Sequence, residues 1–377
     1  MQVTANMTSG AEIDLRSCRL SRTRLNHACA LILLALAAFS QARAQTCLSA
    51  SDIEPATRSA LETTAHHFFD MAAQGDTLSL EHSAIPGVAS NFSNIEAAVK
   101  EGAPDLAGRQ PTIRPPFLLQ AQGNAPIARA EFYCGVFGAN GQTANSAVVV
   151  IPDLPPGNYG LVILDIVGAK GASTVSMVLQ QVGNDWKLAG YYARQAAVNG
   201  HDGSWFAQRA REFKAKGQLH NAWFFFQEAR QLLSPVDFMS TMMSDKLYDE
   251  AQTVKPADLP SAENPMTLSV PATPPPAAAI RDGQTKPVQS FAQATPRSYQ
   301  IISMFPLSVG NELDLVLRYS CPDVSNTAQT FQENMAVIRA AVAKYPEIRD
   351  AFNGVVARAV EPSGRDYGSL LPVKDIK

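Results

Sequence analysis

The chain contains no Cys-x-x-Cys pair, no His-Glu-x-x-His, no Gly-x-Ser-x-Gly and no phosphate-binding glycine loop. These absences exclude a zinc ribbon, a thioredoxin-like redox site, a zincin, a hydrolase nucleophile elbow and a P-loop nucleotidase. Charge is sparse, at 17% Asp, Glu, Lys and Arg. Apolar runs are also short, and none approaches the about 20 residues that a spanning helix needs. Cysteine is scarce: of 5 residues, Cys18 and Cys29 lie near the start, leaving Cys47, Cys134 and Cys321.

What is present near the start has the order of a secretory signal. Arg16, Arg19, Arg22 and Arg24 precede the apolar residues 28–39, and Ala42-Arg43-Ala44 forms an A-x-A site. This order predicts export with cleavage after Ala44, to the periplasm or beyond the cell. The residues before Cys47 (Ala44-Gln45-Thr46) do not make a lipobox, so a soluble protein is expected rather than a lipid-anchored one. Five of the 31 basic and two of the 34 acidic residues precede Gln45, leaving 26 basic against 32 acidic, a net charge of −6. That excess of acid speaks against nucleic acid or an anionic membrane as the main partner. Export permits a disulfide. Cys47–Cys134 is the expected pair, with Cys321 left over, although sequence alone does not fix connectivity.

Beyond the signal, the chain divides by period. Residues 52–75 read as a helix, with Ala60, Leu61, Ala65, Phe68 and Ala72 at helical spacing and Gly75-Asp76 ending it. Residues 128–137, 146–151, 161–167, 175–182 and 186–193 read as strands separated by turn signals, expected to form one mostly antiparallel meander. Residues 204–234 return to helical spacing. Residues 255–297 alternate Pro with Ala, Gln, Ser and Thr and read as a linker. In the last part, residues 299–305 and 313–319 read as strands. Strict alternation in 313–319 predicts a half-buried strand. Residues 326–344 and 347–359 read as helices, giving a small ββαα module over 298–377.

The segment FFDMAAQGD (residues 68–76) and the hairpin VSMVLQQVGNDWKLAGYYA (175–193) resemble the NTF2-like (cystatin-like) superfamily over residues 50–195. Ala210, Phe213, Gly217, Ala222, Phe226 and Ala229 are similar in spacing to a tetratricopeptide (TPR) hairpin within residues 200–252. Together these resemblances imply an α+β fold, with helices on a curved antiparallel sheet, then a TPR-like hairpin expected to pack on the first domain, then the ββαα module. The whole resembles secreted bacterial proteins that carry TPR-like repeats.

An NTF2-like cone implies a candidate general base, and Asp165 and Glu131 each interrupt an apolar strand where a carboxylate could point inward. His66 and His67 are neighbours on the first helix and diverge by about 100°, too far to share one metal ion. The run Trp223, Phe224, Phe225, Phe226 covers nearly a helical turn. Phe226 is assigned to the hairpin core, and Trp223, Phe224 and Phe225 are candidates for a partner-binding face. No cofactor or metal is expected. The leading expectation is a non-enzymatic exported protein that binds a protein partner and holds an apolar ligand. Two alternatives stand beside it, an isomerase- or lyase-like enzyme with Asp165 or Glu131 as base, and a purely structural envelope component.

Overall fold

The computed structural model describes residues 45–139, 141–168, 171–271, 296–309 and 312–376. The expected signal segment and most of the Pro/Ala-rich stretch lie outside these. The chain from Gln45 onward belongs to one unit of mixed α/β architecture.

The first strand, β1 (Gln45–Leu48), is followed by helices α1 (Pro55–Gln74), α2 (Thr77–His82), α3 (Pro86–Ala89) and α4 (Ser93–Leu106). Pro55 opens α1 at a position where its missing N–H costs nothing. Gly75 closes it in the left-handed conformation (φ 69°), with its N–H and that of Asp76 returning to carbonyls of the last turn. Leu61, Ala65, Phe68, Phe69 and Ala72 form the buried stripe of α1.

Strands β2 (Thr112–Ile113), β3 (Phe117–Ala121), β4 (Ile127–Gly138), β5 (Gly141–Leu154), β6 (Gly157–Gly168), β7 (Gly171–Val182) and β8 (Asp185–Gln195) come next. They do not make the single meander expected from their spacing. One antiparallel sheet runs β1-β3-β6-β7-β8, with β2 also on β6, while β4 and β5 pair with each other in a second sheet. The turn at Pro155-Pro156 carries the chain from one sheet to the other, and the Tyr159 hydroxyl donates to the Pro155 carbonyl at 2.9 Å there.

The first sheet is therefore covered on both faces. Val162, Leu164 and Ile166 of β6 belong with α1 and α4 in one core, and Leu161 and Tyr159 with β4 and β5 in another. This double burial explains why β6 reads as a near-continuous apolar run rather than an alternation. Helix α1 comes so close to β6 that a Cβ on Gly160 would lie 2.2 Å from Leu61 Cδ2, so any larger residue there would have to displace that buried side chain. The two sheets are joined covalently by a Cys47–Cys134 disulfide linking β1 to β4, while Cys321 is free and buried.

A short bridge of β9 (Ala197–Val198) and β10 (His201–Asp202) leads into α5 (Gly203–Ala215) and α6 (Leu219–Leu233). Asp202 caps α5 by accepting from the Trp205 N–H at 2.9 Å. Then follow β11 (Met239–Thr241), which pairs with β5, and α7 (Met242–Gln252). The chain ends in a sheet ordered β12 (Met266–Val270), β13 (Arg297–Val309), β14 (Glu312–Ser320), β15 (Gly354–Val360) and β16 (Asp366–Pro372). Helix α8 (Thr327–Lys344) makes the crossover that the parallel β14–β15 pair requires.

Four expectations are corrected here. Residues 347–359 are not a second helix; a 3-10 turn, Pro346–Asp350, gives way at Gly354 to β15, whose Val355, Val356 and Val360 favour a strand. The stretch 255–297 is not all linker, since residues 266–270 form an edge strand on β13. Strand β14 is not half-buried, because Asp314 and Val316 are each 1% exposed; it is the central strand of five. The hairpin of α5 and α6 packs on the C-terminal sheet rather than mainly on the first domain. Its Phe206, Phe213, Phe224, Phe225 and Phe226 share one core with Leu315, Ile338 and Phe352.

One charge in this core is costly. Glu228 of α6 is 2% exposed, and among the described residues its one side-chain hydrogen bond comes from Ser308 at 3.3 Å. Burial pushes its carboxyl above the usual range, against the smaller opposing effect of Ser308. Below the unfolded pKa both states are protonated and the site costs nothing extra. As pH rises from there through the raised folded value, the native state binds more protons than the unfolded chain, so stability falls. Glu228→Gln is therefore expected to raise stability at pH 7 by on the order of 1–3 kcal/mol, with the gain shrinking toward pH 4. Urea unfolding of both proteins across that range measures it; a gain independent of pH would remove ionisation as the cause.

Candidate functional site

Asp165 and Glu131 are not bases in an apolar cone. Asp165 lies on β6, and Arg114 grips both its oxygens at 2.7 Å, one from Nε and one from Nη2. Both partners are 42% exposed at the side chain, so this is a surface ion pair. Glu131 lies on β4, bonded by Arg129 at 2.5 Å and by the Tyr133 hydroxyl at 3.2 Å. Those bonds hold its carboxyl below the usual range, the wrong direction for a general base near neutrality. The space between the first sheet and its helices is occupied by Leu61, Phe68, Phe69, Leu164 and Leu179.

His66 and His67 border a shallow surface depression with Glu62 and Asp70, where His66 Nδ1 sits 3.2 Å from Asp70. Among the described residues no group of three or more His, Cys, Asp or Glu is placed to hold a metal ion. A second cluster was not foreseen. His220 lies between two carboxylates, 2.8 Å from Asp258 and 3.2 Å from Glu347, and the Tyr345 hydroxyl donates to Asp258 at 2.5 Å. Burial opposes ionisation of Asp258, but hydrogen bonds from Tyr345 and His220 outweigh it and keep the carboxyl below its ordinary value. Burial also pushes the Tyr345 phenol up, with Asp258 adding to the effect. The cluster ties the start of α6 to residue 258 and to the turn after α8, alongside Asn221, which donates to the Glu347 carbonyl at 2.6 Å. Its chemistry is that of a clasp.

The aromatic run divides sharply. Phe224 and Phe225 are 0% and 3% exposed, with ring centroids 6.1 and 6.0 Å from Phe352. Both are core residues, which corrects the expectation that they form an exposed partner face, although the buried Phe224 also backs the cleft onto which Trp223 opens. Trp223 is only partly buried, and the Lys255 ammonium lies 5.7 Å from its ring centroid.

Trp223 opens onto a cavity of about 760 Å³. One wall is a stripe of α6, Trp223, Gln227, Arg230 and Gln231, which helical spacing brings to one face, continued by Ser234 just past its end. A second wall is Val148 and Val150 of β5 with Phe238, Met239 and Ser240 at β11. A third is Met304, Phe305 and Pro306 of β13, while Arg194 and Asp237 form an ion pair at the side. Ser244 and Asp245 belong to the first turn of α7, where Thr241 and Ser244 make a capping box. Arg230 donates from Nε to the Ser244 carbonyl at 3.3 Å and stacks 4.9 Å above the Tyr248 ring. Among the described residues no carboxylate lies within ion-pair distance of Arg230. Nor does Gln227 or Gln231 make a side-chain hydrogen bond there.

Among the described residues the ionisable groups lining this cleft are Arg194, Arg230, Asp237 and Asp245, with no His, Cys or Lys. Arginine stays protonated at all ordinary pH, and the one lining serine that reaches a lining carboxylate, Ser244, donates to Asp245 at 3.5 Å but also to the Thr241 carbonyl at 2.9 Å within the capping box. The arrangement suits holding a ligand by aromatic faces, amides and a cation. Sequence reasoning identified Trp223 but missed Gln227, Arg230 and Gln231; their common spacing from Trp223 along α6 was the available signal. Comparison of the chain with known protein families, with characterised proteins and with solved structures found no match.

Proposed function

We propose that this chain is an exported, non-enzymatic binding protein of the cell envelope, and that the cleft between α6, β11 and β13 is its ligand site. The observation that carries the reading is the lining: Arg230, with no carboxylate partner among the described residues, and the amides of Gln227 and Gln231, with no side-chain hydrogen bond among them, set beside Trp223, Phe238 and Phe305. Gln227 and Arg230 are half-buried while Gln231 is exposed at the rim; polar groups withdrawn from water are normally satisfied within the fold, so the Gln227 amide and the Arg230 cation, in a cleft of this size, are placed for an outside partner. Export rests on the residues before Gln45. The resemblance of residues 50–195 to NTF2-like domains, and of α5 and α6 to a TPR hairpin, forms part of the same proposal. Ala210, Phe213, Ala222, Phe226 and Ala229, all 0% exposed, support the hairpin pairing.

Residues 45–377 should be tested by thermal unfolding against panels of short peptides, organic acids and long-chain apolar acids. A ligand at a hundred times its Kd stabilises a protein by about 2.7 kcal/mol, readily seen as a shift in Tm. At least one class is expected to raise the Tm of the native protein and to leave Gln227→Ala/Gln231→Ala unmoved. Equal shifts in both proteins, or none in either, would overturn the cleft as the ligand site.

A further inference from the structure

Resting on that reading of the cleft, we infer that the ligand is a short extended peptide bearing a carboxylate, bound as an added strand on the open edge of β13. β12 pairs with β13 only from Arg297 to Ile301. A register shift between Ile301 and Ser303 separates the two parts of β13. From Ser303 to Val309 β13 is paired with β14 on one side, and among the described residues no strand lies on the other. Met304, Phe305 and Pro306 of that uncovered stretch line the cleft. An open edge offers a row of backbone donors and acceptors, and proteins usually blunt such edges or use them to capture another strand. Pro306 removes one donor, which limits pairing to a short segment.

The surroundings select the kind of strand. Seven residues of open edge span about 23 Å, room for a peptide of about five or six residues. Gln227 and Gln231 stand on the facing helix with amide groups free to bond the outer edge of an added backbone. Successive side chains of a strand alternate in direction, so every second one would meet the apolar group of Trp223, Phe238, Met239 and Met304. Arg230 is the charge determinant. Asp245 of the same cleft already complements the first turn of α7, while Arg230, among the described residues, meets a carbonyl and an aromatic face and pairs with no carboxylate. A carboxylate from an Asp or Glu side chain, or from a free C-terminus, completes it with a charge-assisted pair.

The test uses residues 45–377 and a display library of eight-residue peptides, followed by fluorescence polarisation with the enriched sequences. Acidic peptides are expected to be enriched, and Arg230→Gln is expected to weaken them at least tenfold while Tm stays near native. Replacing the peptide's Asp and Glu by Asn and Gln, or amidating its C-terminus, identifies which carboxylate Arg230 takes. N-methylation at each peptide position in turn is the direct test of strand addition. In the Gln227→Ala/Gln231→Ala background, where the outer edge of the peptide has lost its amide partners, residual binding should fall at alternate positions, because every second N–H points at β13. Gln227→Ala serves as a second variant should Arg230→Gln unfold. Enrichment of no acidic peptide, or N-methyl sensitivity without period two, would overturn the inference. A small organic acid that stabilises the native protein but not the Gln227→Ala/Gln231→Ala variant, with no peptide bound, would overturn the peptide while leaving the cleft as the ligand site.

Discussion

Phe224→Ala and Phe225→Ala are each expected to lower the unfolding free energy by about 3–5 kcal/mol, the cost of emptying a packed aromatic site. Both rings lie against Phe352, and Phe225 also meets Phe206 and Phe213 at 5.2 and 4.9 Å. Removing either ring opens the seam between α6 and the C-terminal sheet, where the surrounding main chain of helix and sheet collapses poorly. Trp223→Ala, one position earlier, is expected to cost no more than about 1 kcal/mol, since its indole borders the open cleft. Chemical denaturation of the three variants checks this. Similar small losses in all three would mean that Phe224 and Phe225 are surface residues after all, and the division between core and cleft along α6 would fail.

That division shows what one-dimensional reading can and cannot reach. Leu61, Ala65, Phe68 and Ala72 repeat at 3.6-residue spacing with polar residues between them, so α1 was legible, as was the turn Gly183-Asn184 joining β7 to β8. Residues 223–226 are aromatic all the way round the helix, so no period distinguishes inside from outside. Only the sheet that packs on them does. The same limit explains β14. A strand in the middle of a sheet with neighbours on both sides buries Asp314 as deeply as Leu315, so alternation of residue type does not report alternation of exposure.

The candidate site was less legible still, because its parts are distant in sequence. Arg114 neutralises Asp165 from 51 positions away, and no local pattern announces such a partner. The cleft joins β5, α6, β11 and β13, which span Val148 to Pro306. Its polar residues are ordinary glutamines, serines and arginines that, read in isolation, belong to a solvated helix face. Likewise the strand spacings were readable, but which strands share a sheet depends on the turn at Pro155-Pro156 rather than on the pattern within any strand. The free edge of β13 depends on how far β12 extends beside it, which composition alone does not encode.

Breaking the Cys47–Cys134 bond is the other large expected effect. The bond closes a loop with a sequence separation of 87, and the chain-entropy relation assigns such a closure about 4–5 kcal/mol. A Cys47→Ser/Cys134→Ser variant, which leaves no odd partner thiol, is expected to lose about 3–5 kcal/mol and to unfold identically with or without reductant. The native protein should converge on it once reduced. The loss should also be felt unevenly. β1 is a four-residue strand at the edge of its sheet, bonded to β3 and tied across to β4 by the disulfide and by a hydrogen bond from the Glu131 N–H to the Gln45 side chain. β4 in turn supports β5, which carries Val148 and Val150 into the cleft. Amide exchange should therefore quicken first in β1 and along β4 and β5, before α8 and the C-terminal sheet respond. Ligand binding should weaken in the variant even under conditions where it remains folded, because one wall of the cleft has lost its anchor. A uniform increase in exchange, with binding unchanged, would show that the bond restrains only the unfolded chain and has no part in holding the site.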